Sequence, residues 1–244
     1  MSKTALITGA SGGIGSACAA ALARDGYNIA VHYNTDREGA ITTMKRVFSP
    51  YLKAAAYKAD LTSADSVHAM ANAALSEFES IDTLVLCAGV AYQNLFQFTD
   101  EATYDKIMDV NVKSAYLTIK EFLPQMIERK SGNIIIISSM WGEVGASCEV
   151  IYSAAKAALI GMTKALAKEV APSGIRVNCV TPGVILTKMV EPLGKETLDE
   201  LANDTPLGRN GVPSDVADTV AWLASERSSF VTGQIIGVNG GLVI

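Results

Sequence analysis

Tyr152 and Lys156 stand four residues apart, the spacing that brings two side chains together on one face of a helix, and Ser139 lies thirteen residues before the tyrosine. A tyrosine hydroxyl ordinarily titrates near pKa ~10, too weak an acid to deliver a proton fast at neutral pH. An ammonium one helical turn away favours the phenolate and is expected to lower that value. Ser139, leaving a strand end, can hold a substrate oxygen by a hydrogen bond. A surface Tyr–Lys pair at this spacing is the plain alternative. What argues against it is a second motif at the amino terminus.

That motif is Thr8-Gly9-Ala10-Ser11-Gly12-Gly13-Ile14-Gly15, which directly follows a first strand and opens a helix. Glycines let the backbone approach a pyrophosphate, and a helix amino terminus directs N–H groups and positive dipole at it. Gly9, Ser11, Gly12, Gly13, Ile14 and Gly15 are therefore expected to bind a dinucleotide. NAD-binding folds usually end the second strand with an acid that takes the ribose hydroxyls. Here that strand closes with His32-Tyr33-Asn34-Thr35, and Tyr33 occupies the acid position. Without a carboxylate there, a 2′-phosphate is not repelled, and Asn34, Thr35 or Arg37 can contact it. NADP(H) is favoured over NAD(H), with Asp36 near enough to keep both open.

Bulk properties exclude other classes. The chain has 244 residues, 49% hydrophobic and 18% charged, with no linker or low-complexity segment, so a single domain over 1–244 is expected. A net charge of −5 leaves no basic field for nucleic acid. No apolar run reaching the ~18 residues of a membrane helix is evident. Met1-Ser2-Lys3 runs straight into Thr4–Ile7, a pattern expected of a first strand rather than a signal peptide. Cys18, Cys87, Cys148 and Cys179 form no C-x-x-C pair and sit among apolar neighbours, as reduced thiols of a cytoplasmic protein would. His32 and His68 lack partners at ligand spacing, so no metal site is expected.

Short β-branched runs alternate with alanine-rich amphipathic stretches along the whole chain. The expected strands are Thr4–Thr8, Asn28–Tyr33, Ala54–Ala59, Thr83–Cys87, Asn133–Ser138, Arg176–Thr181 and Gln234–Val238. Helical patterns include Ser16–Arg24, Ser63–Phe78, Tyr104–Glu128, Ile151–Ala171 and Pro213–Ala224. The unbroken run Ile134–Ile137 is that of a strand covered on both faces. Repeated strand–helix units predict an α/β Rossmann fold, a doubly wound parallel sheet of seven strands flanked by helices. The least regular segment, 184–211, lies beyond a late strand and is expected to be a substrate lid or a surface excursion.

With these residues in hand, the chain resembles the short-chain dehydrogenase/reductase family over essentially its whole length. The Thr8–Gly15 loop fits the family's T-G-x-x-x-G-x-G, and Tyr152 to Lys156 fits Y-x-x-x-K. The resemblance implies roles for further positions: Asp60 and Leu61 at the adenine, and Asn111 and Ser139 in the active site. It also implies that Pro182, Gly183, Ile185 and Thr187 close over the nicotinamide. Cys87, Ala88 and Gly89 stand in the family's N-N-A-G, with Leu86 and Cys87 replacing both asparagines, and Asn239 replaces a common Asp. The first departure bears on local stability more than on catalysis. The implied reaction is carbonyl reduction, with Tyr152 protonating the oxygen, Lys156 holding the ribose, and Asn111 supporting a water relay. Family members commonly make tetramers through the helices at Tyr104–Glu128 and Ala154–Ala171, although the small-residue face of the latter could equally pack internally.

The tail Ser228–Gln234 and the string Pro206-Leu207-Gly208-Arg209 resemble 3-oxoacyl-acyl-carrier-protein reductases. The loop between Ser139 and Tyr152 points elsewhere. Trp141, Glu143 and Glu149 suit a cationic substrate by cation–π contact and charge pairing, and an acyl thioester poorly. A basic residue common in acyl-carrier reductases is Ser173 here, although Arg129 and Lys130 remain nearby. The loop string and the His32–Thr35 strand end are similar to a branch of the family, the bacterial elongation factor P 5-aminopentanone reductases. An aminoketone on that factor, or a ketone on acyl carrier protein, is thus the expected substrate. The two glutamates could also be plain solvated residues.

Overall fold

The structure, a computed structural model, describes residues 2–244. Seven strands form one sheet in the order β3-β2-β1-β4-β5-β6-β7, with every pairing parallel. They are β1 Thr4–Thr8, β2 Asn28–Tyr33, β3 Ala54–Lys58, β4 Thr83–Leu86, β5 Gly132–Ile137, β6 Ile175–Pro182 and β7 Ile235–Val238. The sheet is the one expected, with ends moved by a residue or so. Its order reverses between β1 and β4, so the chain leaves these neighbours toward opposite faces. A crevice opens at their carboxyl ends.

Successive side chains of a strand point to opposite faces, which divides the apolar run of β5 between two cores. Ile135 and Ile137 join Ile7, Val31 and Val180 under helices α1 (Gly13–Arg24) and α9 (Pro213–Ala224). Ile134 and Ile136 join Leu6, Leu84 and Val177 under α3 (Ala64–Phe78), α5 (Ser114–Arg129) and α7 (Val150–Val170). Each such buried isoleucine is worth about 1.5–3 kcal/mol of transfer free energy. Both layers anchor the strand whose end carries Ser139.

Three features depart from the expectation. The stretch read as one helix over Tyr104–Glu128 is α4 (Glu101–Met108), a π-helical turn (Asp109–Lys113) and α5. Segment 184–211 is less irregular than its Pro and Gly content implies, because Gly194–Asp204 forms helix α8. Leu198 and Leu201 stand one turn apart there, among good helix formers. Finally, Val150–Ser173 is long and apolar enough to cross a bilayer by length and composition, at a mean hydropathy of 1.2. Its Lys156 is buried against the sheet and its exposed face carries Lys164 and Lys168, as in a helix packed onto a protein core. Cys18 and Cys179 are buried, whereas Cys87 and Cys148 are only half-buried, near the site described next.

Candidate active site

Strand β5 and helix α7 are locked together by a reciprocal pair of hydrogen bonds. The Ser138 hydroxyl donates to the Lys156 carbonyl at 2.7 Å, and the Lys156 ammonium donates to the Ile137 carbonyl at 3.1 Å. This fixes the height of α7 against the strand end and leaves Ser139, Tyr152 and Lys156 together, all buried. Close packing demands a glycine at 142, in the short helix α6 (Trp141–Val144), since a Cβ there would lie 2.7 Å from the Lys156 carbonyl carbon. Ser138 was not read from the sequence. Its only signal was the serine doublet ending an isoleucine run.

The electrostatics correct one expectation. The Tyr152 hydroxyl is pushed up to about 12, not down: burial is the largest cause, the Ser139 hydrogen bond opposes it, and Glu149 and Cys87 add to it. Burial also holds the Lys156 ammonium below its ordinary value. The ammonium sits 5.6 Å from the centroid of the Tyr152 ring and directs a hydrogen bond at the Ile137 carbonyl, and burial, not this charge, sets the direction of the phenol's shift.

Asn111 lies in the π-helical turn and is fully buried. Its Nδ2 donates to the Ile107 and Val90 carbonyls at 2.9 and 3.1 Å, and its Oδ1 accepts from Val90 N–H at 3.2 Å. A Cβ on Gly89 would lie 2.7 Å from Asn111 Oδ1 and 3.3 Å from Lys156 Nζ. Gly89 thus lets the amide and the ammonium share one small space.

A cleft of about 950 Å³ runs from this cluster to the glycine turn. Its wall brings together Gly9, Ser11, Gly12, Gly13, Ile14, Gly15, Cys87, Ala88, Gly89, Tyr152, Lys156 and Thr187. The turn is built for close approach. A Cβ on Gly15 would meet the Gly9 carbonyl oxygen at 2.4 Å, while one on Gly12 would meet nothing within 4 Å and would stand in the cleft. No side chain caps α1, so its first N–H groups are left for a ligand, and the donor set suits a pyrophosphate. Thr8 Oγ1 accepts from the Cys87 and Ala88 N–H groups at 3.0 and 3.1 Å, tying β1 to β4 where the family asparagine is missing. Burial pushes the Cys87 thiol up to about 11.

Other expected residues lie off this wall. Asn34 and Thr35 are exposed at the end of β2 and Tyr33 is half-buried. The Asp60 carboxylate is taken by the Thr62 N–H and hydroxyl at 2.9 and 2.8 Å, which holds it below the usual range, and Leu61 is buried in the core. Gly183 and Ile185 line a separate cavity of about 680 Å³, and Pro182 accepts from Met140 N–H at 3.0 Å. Asn239 closes the turn beside Gly183: it accepts from Gly241 N–H at 3.0 Å and donates to the Val243 carbonyl at 2.9 Å.

The sequence reading missed the wall contributed by helix α2 (Arg37–Arg46). Asp36 caps that helix by accepting from Gly39 N–H at 2.9 Å, and Gly39, Thr42 and Arg46 face the cleft. In the substrate loop, Trp141 and Glu149 are half-buried, whereas Glu143 is exposed. Burial holds the Glu149 carboxyl above its ordinary value.

A dinucleotide cradle at a topological switch point, ending at a buried Ser–Tyr–Lys cluster, defines a nicotinamide-dependent oxidoreductase. A family model described as enoyl-(acyl carrier protein) reductase matches residues 9–243. The Bacillus subtilis oxidoreductase YmfI, described as uncharacterized, is 43% identical over 242 residues, 99% of each chain. A 3-oxoacyl-[acyl-carrier-protein] reductase of Staphylococcus aureus is 41% identical over 242 residues, 99% of this chain and 98% of the relative. The crystal structure of levodione reductase superposes with a TM-score of 0.94 at 28% identity, covering 98% of this chain and 96% of the other. The chain belongs to the short-chain dehydrogenase/reductase family and is an NAD(P)-dependent oxidoreductase.

Proposed function

We propose that the protein reduces a ketone with NADPH, Tyr152 acting as general acid. The observation that carries this reading is the buried Tyr152 hydroxyl, grouped with buried Ser139 and Lys156 at one end of a cleft whose other end is the uncapped start of α1. When bound, the reduced nicotinamide supplies the hydride for the carbonyl carbon. Ser139 donates a hydrogen bond to the carbonyl oxygen, and Tyr152 gives it the proton. Lys156 holds the ribose, and the Asn111 amide beside it ends the water path that returns the proton. Proton delivery of this kind contributes typically ~10²–10⁴-fold. NADPH is supported by the missing carboxylate at Tyr33 and by Asp36 being spent on its cap. Asn34 and Thr35 are exposed at the end of β2, and Asp60 and Leu61 at the end of β3 are assigned to the adenine side. Pro182, Gly183 and Ile185 after β6 are assigned to the nicotinamide side, which Gly183 and Ile185 would reach from the neighbouring cavity they line.

The substrate we favour is an aminoketone carried on a protein, the 5-aminopentanone group of elongation factor P. Glu149 supports it: a half-buried carboxylate with no cationic partner among the described residues, where a substrate ammonium would offset the cost that burial places on its charge. Trp141 and Glu143 precede it in the same loop. A second reading, reduction of a 3-oxoacyl group on acyl carrier protein, is favoured by the relative at 41% identity. Against it, Arg129 is committed to Asp82 at 2.9 Å and to the Ile81 carbonyl at 3.0 Å, leaving it little freedom to meet an acidic carrier.

Chain 1–244 would act as one cytoplasmic domain with 184–211 as its lid. Thr187 lies close over Gly13, and Leu186 and Met189 face the cleft, as a lid requires. A homotetramer through α4–α5 and α7 is supported by exposed Tyr104 and Tyr116 and by the exposed small residues Ala154, Ala157, Gly161 and Ala165.

The test offers the aminopentanone-modified factor and an acetoacetyl-carrier thioester in parallel and follows loss of reduced nicotinamide absorbance. Turnover of the modified factor alone supports the favoured substrate. Turnover of the thioester alone refutes it and makes the acidic loop incidental.

A further inference from the structure

His32 is the penultimate residue of β2, 2% exposed, and its imidazole is strung between two parts of the nucleotide cradle. Its Nδ1 accepts from Gly9 N–H at 3.1 Å, and its Nε2 lies 3.0 Å from the Ala59 carbonyl. The tautomer follows from the partners: an amide donor faces Nδ1 and a carbonyl faces Nε2, so the single proton sits on Nε2. The His32 backbone carbonyl accepts from Ala10 N–H at 2.9 Å. One residue therefore pins the first two amides of the glycine turn and, through Ala59, the chain entering Asp60 and Leu61. Gly9 has φ +65 and its absent Cβ would press on Ala88 at 3.0 Å, so the turn has no slack on its other side.

A second proton would sit on Nδ1, directly opposite the Gly9 N–H. A hydrogen bond would be replaced by two donors facing each other in a buried space, a costly arrangement. No neighbour offsets that charge. Tyr57, in register with His32 on β3, has its hydroxyl pushed up to about 12 and stays neutral. Asp60, beyond Ala59, has its carboxylate already held by Thr62. Burial and the Ala59 hydrogen bond alone account for the ring's shift, and the net effect is a lowered pKa.

We propose that His32 is a positioning residue for the dinucleotide: its neutral ring holds the glycine turn in register with the end of β3, so nucleotide affinity falls when the ring takes a proton. The inference rests on the nucleotide site proposed above and adds a pH dependence to it. Asparagine places a non-titrating acceptor at the Nδ1 position opposite Gly9 N–H, though its shorter amide does not reach the Ala59 carbonyl, and phenylalanine fills the space while supplying neither bond.

The experiment is calorimetric titration of NADP+ and of NAD+ into the intact protein and the His32→Asn and His32→Phe variants, with circular dichroism confirming each fold at each pH. Titrations run between pH 7.5 and 4.5, a range that reaches well below the ordinary imidazole value because burial lowers this ring. Using both nucleotides, and taking ratios between variants at each pH, removes titration of the 2′-phosphate itself, whose second pKa is near ~6. The expected result is that Kd of the histidine protein rises roughly fivefold or more relative to His32→Asn on acidification. His32→Phe should bind weakly throughout. A ratio that stays constant overturns the proposal, as does affinity that strengthens on acidification in the histidine protein alone, where attraction to the phosphates would outweigh the broken hydrogen bond. If neither nucleotide binds the unaltered protein at neutral pH, the site itself fails, and the inference with it.

Discussion

The Lys156 ammonium lies over the face of the Tyr152 ring, 5.6 Å from its centroid, and points its hydrogen bond at Ile137 rather than at the phenol. The lysine is thus a fixture of the β5–α7 junction first, and an electrostatic neighbour of the tyrosine second. Burial consequently sets the phenol, at about 12. In the nucleotide-free protein, absorbance of the wild type minus that of Tyr152→Phe should show no tyrosinate below pH about 10. The sign is that of an acid held neutral: the folded state keeps the proton, so ionisation and loss of stability both come as pH rises above the ordinary value toward 12. A midpoint near neutrality would show that the lysine outweighs burial after all.

Tyr152→Phe also tests the proton donor. The ring keeps its packing in a buried site and loses one hydroxyl. Turnover of any accepted ketone should fall on the order of 10²–10⁴-fold while nucleotide Kd changes by less than about threefold. Retention of a tenth of the wild-type rate would end the assignment.

Most of the fold was legible because its signals are periodic and local. The seven strands are β-branched runs, and the glycine turn stands at the one loop where such a motif carries meaning. Tyr152, Lys156 and Ser139 were legible from spacing and strand-end position. What escaped notice depends on contacts between distant segments. Asn111 was reached only through the resemblance, and the π-helical turn it shapes was not: its side chain takes the Ile107 carbonyl and also the Val90 backbone 21 residues away, which no helical periodicity announces. Gly39 looks like a weak spot in a helix, yet a Cβ there would meet the Ser11 carbonyl at 2.2 Å, so α2 forms a wall of the cleft only with glycine at that position. Ser138 and His32 act through partners 18 and 27 residues away. The direction of the Tyr152 shift escaped for the same reason: spacing reveals a neighbouring charge but not how much water has been removed.

Two glycines of one turn should fail in different ways. At Gly15 a methyl group would collide with backbone at 2.4 Å, whereas at Gly12 it would meet no protein atom and stand in the cleft. Gly15→Ala should therefore lower stability by roughly 1–3 kcal/mol or more in denaturant unfolding. Gly12→Ala should unfold within about 0.5 kcal/mol of the wild type yet bind nucleotide at least roughly tenfold more weakly. Equal losses of stability in both variants would mean that the turn adapts as a unit and that open space at Gly12 has no bearing on binding.

Glu149 separates recognition of a cation from general loop structure. Its carboxyl is raised by burial, so in the folded protein its charge is carried at a cost, and stability falls as pH rises through and above the ordinary value of 4.5. Replacing it with glutamine removes that charge while keeping the shape. Stability above pH ~5 should then be equal to or greater than that of the wild type. If the carboxylate is there to meet an ammonium, KM for a cationic ketone should rise on the order of tenfold with kcat little changed, and a neutral diketone should be reduced as before. Glu143→Gln, at an exposed position, should change KM by less than about threefold. A parallel loss on cationic and neutral ketones would mean that Glu149 shapes the loop over Tyr152, and the preference for a charged substrate would have to be sought in Trp141 or in the lid.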